Sequence, residues 1–245
     1  MNQTIAQLHA RKSVRVYEDR PIEAEVKQAI LEAAIQAPSA GNMALYTILD
    51  ITDPAMKAAL AKSCDDQPFI ATAPMVLIFC ADYRRWYDAF GRYVPEVRYP
   101  GMGDLFLAQA DAIIAAQNAV VAAESFGVGS CYIGDIIEKF EYHQELLNLP
   151  QYVVPAAMLC FGYPTPQQIR REKPARFKVE DMVHENGYDR AKADAMPWMI
   201  MERQELSDDE VPSWLRRFCQ RKWNSEFSRE MTRSAEAITK DWCGH

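Results

Sequence analysis

The chain has 245 residues, 49% of them hydrophobic, and a formal net charge of −7. That length buries a full core in one elaborated domain without demanding two, and the acidic balance argues against a nucleic-acid surface, which needs a basic stripe to neutralise phosphates. Six scattered cysteines, with no Cys-x-x-Cys pair and no histidines at metal spacing, fit reduced thiols in a cytosol better than a disulfide framework or a zinc site.

Residues 1–8 lack the apolar run and small-residue cleavage site of a secretory signal, so a cytoplasmic protein is expected. Next comes Arg11-Lys12-Ser13-Val14-Arg15, three cations and a hydroxyl in one short stretch. Arginine offers a planar fork of donors, lysine a movable charge and serine a neutral hydrogen bond, a combination suited to a phosphate monoester. Taken alone, the same pentapeptide also describes a solvated charge cluster.

Apolar residues Ile22, Val26, Ala29, Ile30, Ala33 and Ala37 recur at three and four, predicting a helix over 22–37 that Pro38 stops. Strand formers fill 45–51, Asp53-Pro54 opens a short helix to about 63, and the continuous apolar run 75–80 predicts a buried central strand. The segment 83–103 shows no clear period and reads as a loop of interleaved aromatics and arginines. Such a mixture stacks on single-stranded bases in some proteins, packs on itself in others, and could form a lid over a site.

Asp104 is placed to cap a helix running to 126 that is apolar nearly all round. Its Gln109, Asp111, Gln117, Asn118 and Glu124 would be costly at a bilayer centre, so a buried helix is expected and not a membrane span. A strand near 130–134, a helix near 137–147 and a strand over 155–163 follow. The alternation indicates a layered α/β or α+β domain around a central sheet. Ser207 and Glu210 have capping-box spacing, and Phe227, Met231, Ala235, Ile238 and Trp242 form a helical stripe that would lie on the core or on a partner subunit.

The order Arg11-Lys12-Ser13-x-Arg15, aromatic Tyr17, Pro21-Ile22, helix, Ala37-Pro38-Ser39-x-x-Asn42 resembles the opening of the nitroreductase and flavin reductase family. The resemblance continues through Gly127-Val128-Gly129-Ser130-Cys131-Tyr132-Ile133-Gly134, Cys160-Phe161-Gly162-Tyr163-Pro164, Lys173-Pro174-Ala175-Arg176 and Val183-His184-Glu185-Asn186. It covers nearly the whole chain and is greatest to the oxygen-insensitive, NADPH-using branch. The resemblance implies an α+β fold with a central mixed sheet flanked by helices, dimeric, with residues 1–195 forming an FMN-binding domain and 196–245 a C-terminal helical extension. It also implies FMN as resident cofactor, NADPH or NADH as reductant, a homodimer, and a small-molecule electron acceptor such as a nitroaromatic, quinone or flavin.

Carried over residue by residue, the resemblance puts Arg11, Lys12, Ser13, Arg15 and Arg176 at the phosphate, and the partner's copy of the Pro38, Ser39 and Asn42 turn against the flavin. Tyr132, Ile133, Gly134 and Asp135 would form the loop facing flavin N5, Gln67 would reach the pyrimidine, and Lys173 the N1 and C2-carbonyl edge. Asp135 stands where relatives usually carry a glycine, and Ala44 where many carry a glutamine. A dehalogenase-like FMN enzyme and a flavin carrier without turnover are the rival readings. No side-chain nucleophile constellation is evident, so the flavin would carry the chemistry. For an NADPH 2′-phosphate, the tail offers Arg216, Arg217, Arg221 and Lys222, with Arg92 and Arg98 as competitors.

Overall fold

The computed structural model describes residues 1–244. In chain order it runs α1 (Gln3–Ala10), α2 (Ala24–Ile35), β1 (Tyr46–Asp50), α3 (Pro54–Ser63), α4 (Pro68–Thr72), β2 (Met75–Asp82), α5 (Arg84–Tyr93), α6 (Met102–Ser125), β3 (Gly129–Ile133), α7 (Phe140–Leu146), β4 (Val153–Gly162) and α8 (Pro166–Arg170). Then come α9 (Val179–Met182), α10 (Arg190–Asp194), α11 (Met196–Gln204), α12 (Val211–Lys222) and α13 (Glu226–Cys243). Two units divide the chain: Met1–Arg171 with the segment from Glu230 onward, and Glu172–Arg229. The boundary expected at 195/196 does not coincide with that division, because the last helix returns to the first unit.

The four strands form one sheet in the order β1-β2-β4-β3, every neighbouring pair antiparallel. The parallel component of the expected mixed sheet is confined to a single bridge, Ser13 on Ser130. Every residue of β2 and β4 is buried because both faces are covered, which is why these strands read as continuous apolar runs. Met75, Leu77 and Phe79 pack with α2 and α6, whereas Val76, Ile78 and Cys80 pack with residues of α3, α4 and the turn after β3. Pro155 is tolerated inside β4 because the register shifts there, Phe79 facing Ala157 but Cys80 facing Pro155.

Three expectations are corrected. The segment 83–103 is not a structureless loop: Arg84–Tyr93 is helical. Tyr83, Trp86, Tyr87 and Phe90 share one face, with Trp86 Nε1 donating to the Met43 carbonyl at 2.7 Å and Tyr87 edge-on to Tyr152 at 5.4 Å. The helix expected over 137–147 is a 3₁₀ turn, Gly134–Ile137, and then α7, separated at Lys139 by a left-handed φ of 48°. Ser207 does not begin a helix; Glu210 accepts from its N–H at 2.9 Å and its hydroxyl at 2.8 Å, closing a turn before α12. Asp104 does secure α6, from the third helical position, by accepting the Gly101 N–H at 2.8 Å.

By length and hydropathy α6 could cross a membrane, but its alanine-rich stripe, Ala108, Ala112, Ala115, Ala116, Ala119 and Ala123, is buried in the protein core. The apolar stripe of α13 joins the core through its C-terminal half. Trp242 is fully buried, edge-on to Tyr152 at 5.6 Å, and its Nε1 donates to the Gly101 carbonyl at 3.1 Å.

Candidate cofactor site

The basic segment lies against the start of β3. Val14 N–H donates to the Ser130 carbonyl at 2.9 Å, and the Tyr17 hydroxyl donates to the Val14 carbonyl at 2.9 Å. Two glycines allow this approach: a Cβ on Gly129 would stand 2.6 Å from Val14 Cγ2, and one on Gly162 would stand 2.6 Å from Tyr17 Cδ1. Gly129 and Gly162 therefore seat the segment that carries the cations.

Arg11 is the most telling residue of that segment. Its Nε and Nη2 are buried with no hydrogen-bond partner among the described residues, and its guanidinium lies 5.9 Å from the centroid of the Tyr132 ring. Buried donors left unpaired cost free energy, so their orientation marks the place of an acceptor. A phosphate suits such a donor set. Arg15 is exposed and its guanidinium forms no hydrogen bond or ion pair among the described residues, while its backbone N–H reaches Gln168 Oε1 at 3.4 Å. Lys12 is engaged elsewhere, its Nζ donating to the carbonyls of Ile169, at 2.7 Å, and Arg171. Arg171 Nη2 returns a bond to the Ser13 carbonyl at 2.5 Å, so this pair ties the basic segment to the end of α8.

Beyond Tyr132 the backbone opens. The Tyr132 hydroxyl is 3.3 Å from Gln117 Oε1 on α6, and burial pushes its pKa up to about 12 against the opposing pull of Arg11. Ile133 is buried, Gly134 is exposed, and no protein atom lies within 4 Å of where a Gly134 Cβ would stand. Asp135 is half-buried, and its carbonyl accepts the Glu138 N–H at 3.0 Å. An open backbone edge beside an aromatic ring and unpaired cations fits a flat, phosphate-bearing cofactor.

The turn at 38–45 is organised by a residue that reads in the sequence only as a polar interruption. Asp111, buried on α6, accepts the Ala40 N–H at 3.0 Å through Oδ1 and the Leu45 N–H at 3.2 Å through Oδ2. Ser39 Oγ accepts the Ala44 N–H at 2.9 Å; Gly41, Asn42 and Ala44 all take positive φ. Pro38 and Asn42 are carried on this turn, Asn42 exposed. The signal in the sequence was an acid on the apolar side of a helix, a position that demands donors. The Gln67 side chain folds back, its Nε2 donating to the Cys64 carbonyl at 2.8 Å.

Glu138 gives no such signal in the sequence. It is 5% exposed, its Oε1 has no hydrogen-bond partner among the described residues, and burial and then Asp135 push its pKa up to about 7. Lys173 and Arg176 belong to the second unit, where Arg176 Nη1 lies 3.4 Å from the Pro174 carbonyl. Arg98 is bound to Asp104 by two bonds of 2.5 and 2.8 Å and so leaves the competition for an anionic ligand, whereas Arg216, Arg217 and Arg221 line an open depression on α12.

Compared with known families, residues 8–163 match the nitroreductase family. The chain belongs to the nitroreductase family. The matched span contains the basic segment, the 38–45 turn, Gln67 and the Tyr132–Asp135 loop. Among curated relatives of this nitroreductase-family chain, the oxygen-insensitive NADPH nitroreductase of Salmonella typhimurium is 34% identical over 188 residues, 77% of this chain and 75% of the relative. The FMN reductase [NAD(P)H] of Bacillus subtilis is 30% identical over 245 residues, covering 99% of this chain and 88% of its own. Among solved structures, the NADPH:FMN oxidoreductase from Vibrio harveyi complexed with NAD+ superposes with a TM-score of 0.77 at 26% identity, covering 97% of this chain and 98% of that one.

Proposed function

We propose that this chain is an FMN-dependent NAD(P)H oxidoreductase that works as a homodimer on small electron-poor acceptors, nitroaromatics, quinones or free flavins, in two half-reactions. The observation that carries the reading is the pair of buried, unpartnered guanidinium donors of Arg11 in a segment pinned beside the open Tyr132–Asp135 edge. Bound FMN would accept a hydride from the nicotinamide and pass it on, which explains why no nucleophilic side chain is needed.

In this reading Arg11, Arg15 and the Ser13 hydroxyl hold the phosphate, and Lys12 holds the segment in place. Gly134 lets the cofactor edge approach the backbone, and Asp135 directs its carboxylate away from that edge. Gln67 turns its carbonyl oxygen to the pyrimidine.

The dimer is supported by α6, whose outward face leaves Phe106 68% exposed and Ile113 and Ile114 each 40% exposed. An unpaired apolar stripe of that kind on a core helix calls for a partner surface. Gln117 on the same helix meets Tyr132, and Asp111 on the buried face holds the 38–45 turn, so one helix would link the interface to both parts of the site. Residence in the cytoplasm belongs to the same proposal and agrees with six free cysteines.

Purification followed by absorbance, FMN quantitation and NADPH oxidation with a quinone tests the proposal. A yellow protein with one FMN per chain that turns over supports it. A yellow protein without turnover is a carrier, and a protein that stays colourless with added FMN overturns the cofactor assignment.

A further inference from the structure

Glu138 closes the 3₁₀ turn Gly134–Ile137, its N–H bonded to the Asp135 carbonyl at 3.0 Å. Its carboxyl is buried and one oxygen has no partner among the described residues. The adjacent Lys139 is engaged elsewhere: it sends its ammonium to the Ser63 carbonyl at 2.8 Å and its backbone N–H to Glu230 at 2.9 Å.

The groups around Glu138 define its surroundings. Asp135, on the same turn, is half-buried, and Asp65, after α3, is exposed. Glu230 on α13 is held down to about 2 by Arg233 first, and it accepts from Ser234 Oγ at 2.9 Å. Cys64 is pushed up to about 12 by burial, and burial pushes His143 below the usual histidine range while its Nε2 meets Ser63 Oγ at 2.7 Å. Among these groups, Glu138 alone combines burial, an unpartnered oxygen, like charges nearby and a proton affinity close to neutral.

We propose that Glu138 takes up one proton when the negative charge of a hydride enters the neighbouring site and releases it when that hydride passes to the acceptor. The inference rests on the FMN reading above. In balance, NAD(P)H gives up a hydride and leaves as NAD(P)+, while the Glu138 carboxylate binds one solvent proton and becomes the neutral acid. A quinone then takes the hydride and one proton to become the hydroquinone, and Glu138 returns to carboxylate. The sum is NAD(P)H + H+ + quinone giving NAD(P)+ + hydroquinone. A charge arriving beside a poorly solvated carboxyl is weakly screened, which couples the two events.

The test is the pH dependence of the reduction potential of the flavin-loaded protein, from about pH 5 to pH 9, in wild type and Glu138→Gln. Wild type is expected to show a segment around neutrality that is steeper by up to one proton per electron pair, and the variant to lack it. A purely structural role for Glu138 would leave the slopes superposable. Asp135→Asn, which removes the like charge that acts most on Glu138, is expected to move the steep segment to lower pH. It serves as the independent arm where Glu138→Gln does not fold. FMN stoichiometry is measured on the same samples. Loaded proteins with equal slopes, or a segment unmoved by Asp135→Asn, overturn the role of Glu138 alone; protein that binds no FMN overturns the cofactor reading and this inference together.

Discussion

Val14 occupies the space that any side chain at position 129 would need: a Cβ on Gly129 would lie 2.6 Å from Val14 Cγ2 and 3.0 Å from Val14 Cβ. The glycine therefore sets how closely the strand of cations lies against β3. Gly129→Ala is expected to push the segment outward, costing about 1–3 kcal/mol as overpacking does, and to lower FMN content. Gly103→Ala, at an open position of α6 where nothing lies within 4 Å, should leave FMN content unchanged and the fold at least as stable. Equal melting temperatures and FMN contents for the two variants would contradict the assignment.

The cations of that segment divide by role. If both hold the phosphate, Arg11→Ala and Arg15→Ala are each expected to cost charge-assisted bonds of about 1.5–3 kcal/mol, a loss of roughly ten- to a hundred-and-fifty-fold in FMN affinity. Lys12→Ala is expected to lower the melting temperature more than the affinity, because its ammonium holds the Ile169 and Arg171 carbonyls. Lys12→Arg should be milder still. Fluorescence titration of released FMN, set beside thermal melts, separates the two effects.

Asp111 supports the 38–45 turn from within α6. Asp111→Asn puts an amide where two backbone N–H groups need acceptors and is expected to destabilise the fold by about 1.5–3 kcal/mol. Sedimentation should show weaker dimerisation, with flavin lost in parallel. A variant as stable as wild type would mean the turn holds itself.

Asp104 gives a signed pH dependence. Arg98 first, then the Gly101 N–H and Tyr83, hold its carboxyl down to about 2 against the opposing effect of burial. A carboxyl with a depressed folded pKa stabilises above its unfolded value, near 4, and that stability is lost as pH falls towards about 2. Acid unfolding of Asp104→Asn should accordingly show a shallower slope between about pH 4 and pH 2 than wild type. Identical slopes would exclude this pair as an acid-sensitive contact.

For the nicotinamide, Arg98 is engaged by Asp104, which leaves the tail arginines and Arg92 as the residues to test. Neutralising Arg216 and Arg217 is expected to raise the KM for NADPH with little effect on NADH, since only NADPH carries the extra phosphate. An equal change for both would assign these arginines to folding or packing, and Arg92 would be tested next.

The sequence by itself determined the family and most of the element plan. The apolar runs of β2 and β4, the period of α2 and the all-round apolar α6 are local patterns that burial on both sides imposes, and the basic pentapeptide with its glycine motifs is legible as short contiguous stretches. What only the tertiary structure decided are relations between distant residues. Lys12 reads as a phosphate ligand until the carbonyls of Ile169 and Arg171 reach it, and Asp111 reads as a polar interruption until the 38–45 turn folds onto it. The aromatics of α5 have helical spacing that intervening arginines obscure, and Trp242 belongs to the core only because α13 returns to Tyr152 and Gly101. Periodicity records which side of an element is buried; it does not record which backbone group a polar side chain will meet. Glu138 shows the same limit, since like charges acting on its buried carboxyl come from residues as distant in the chain as Asp65 and Glu230, beyond the reach of any local pattern.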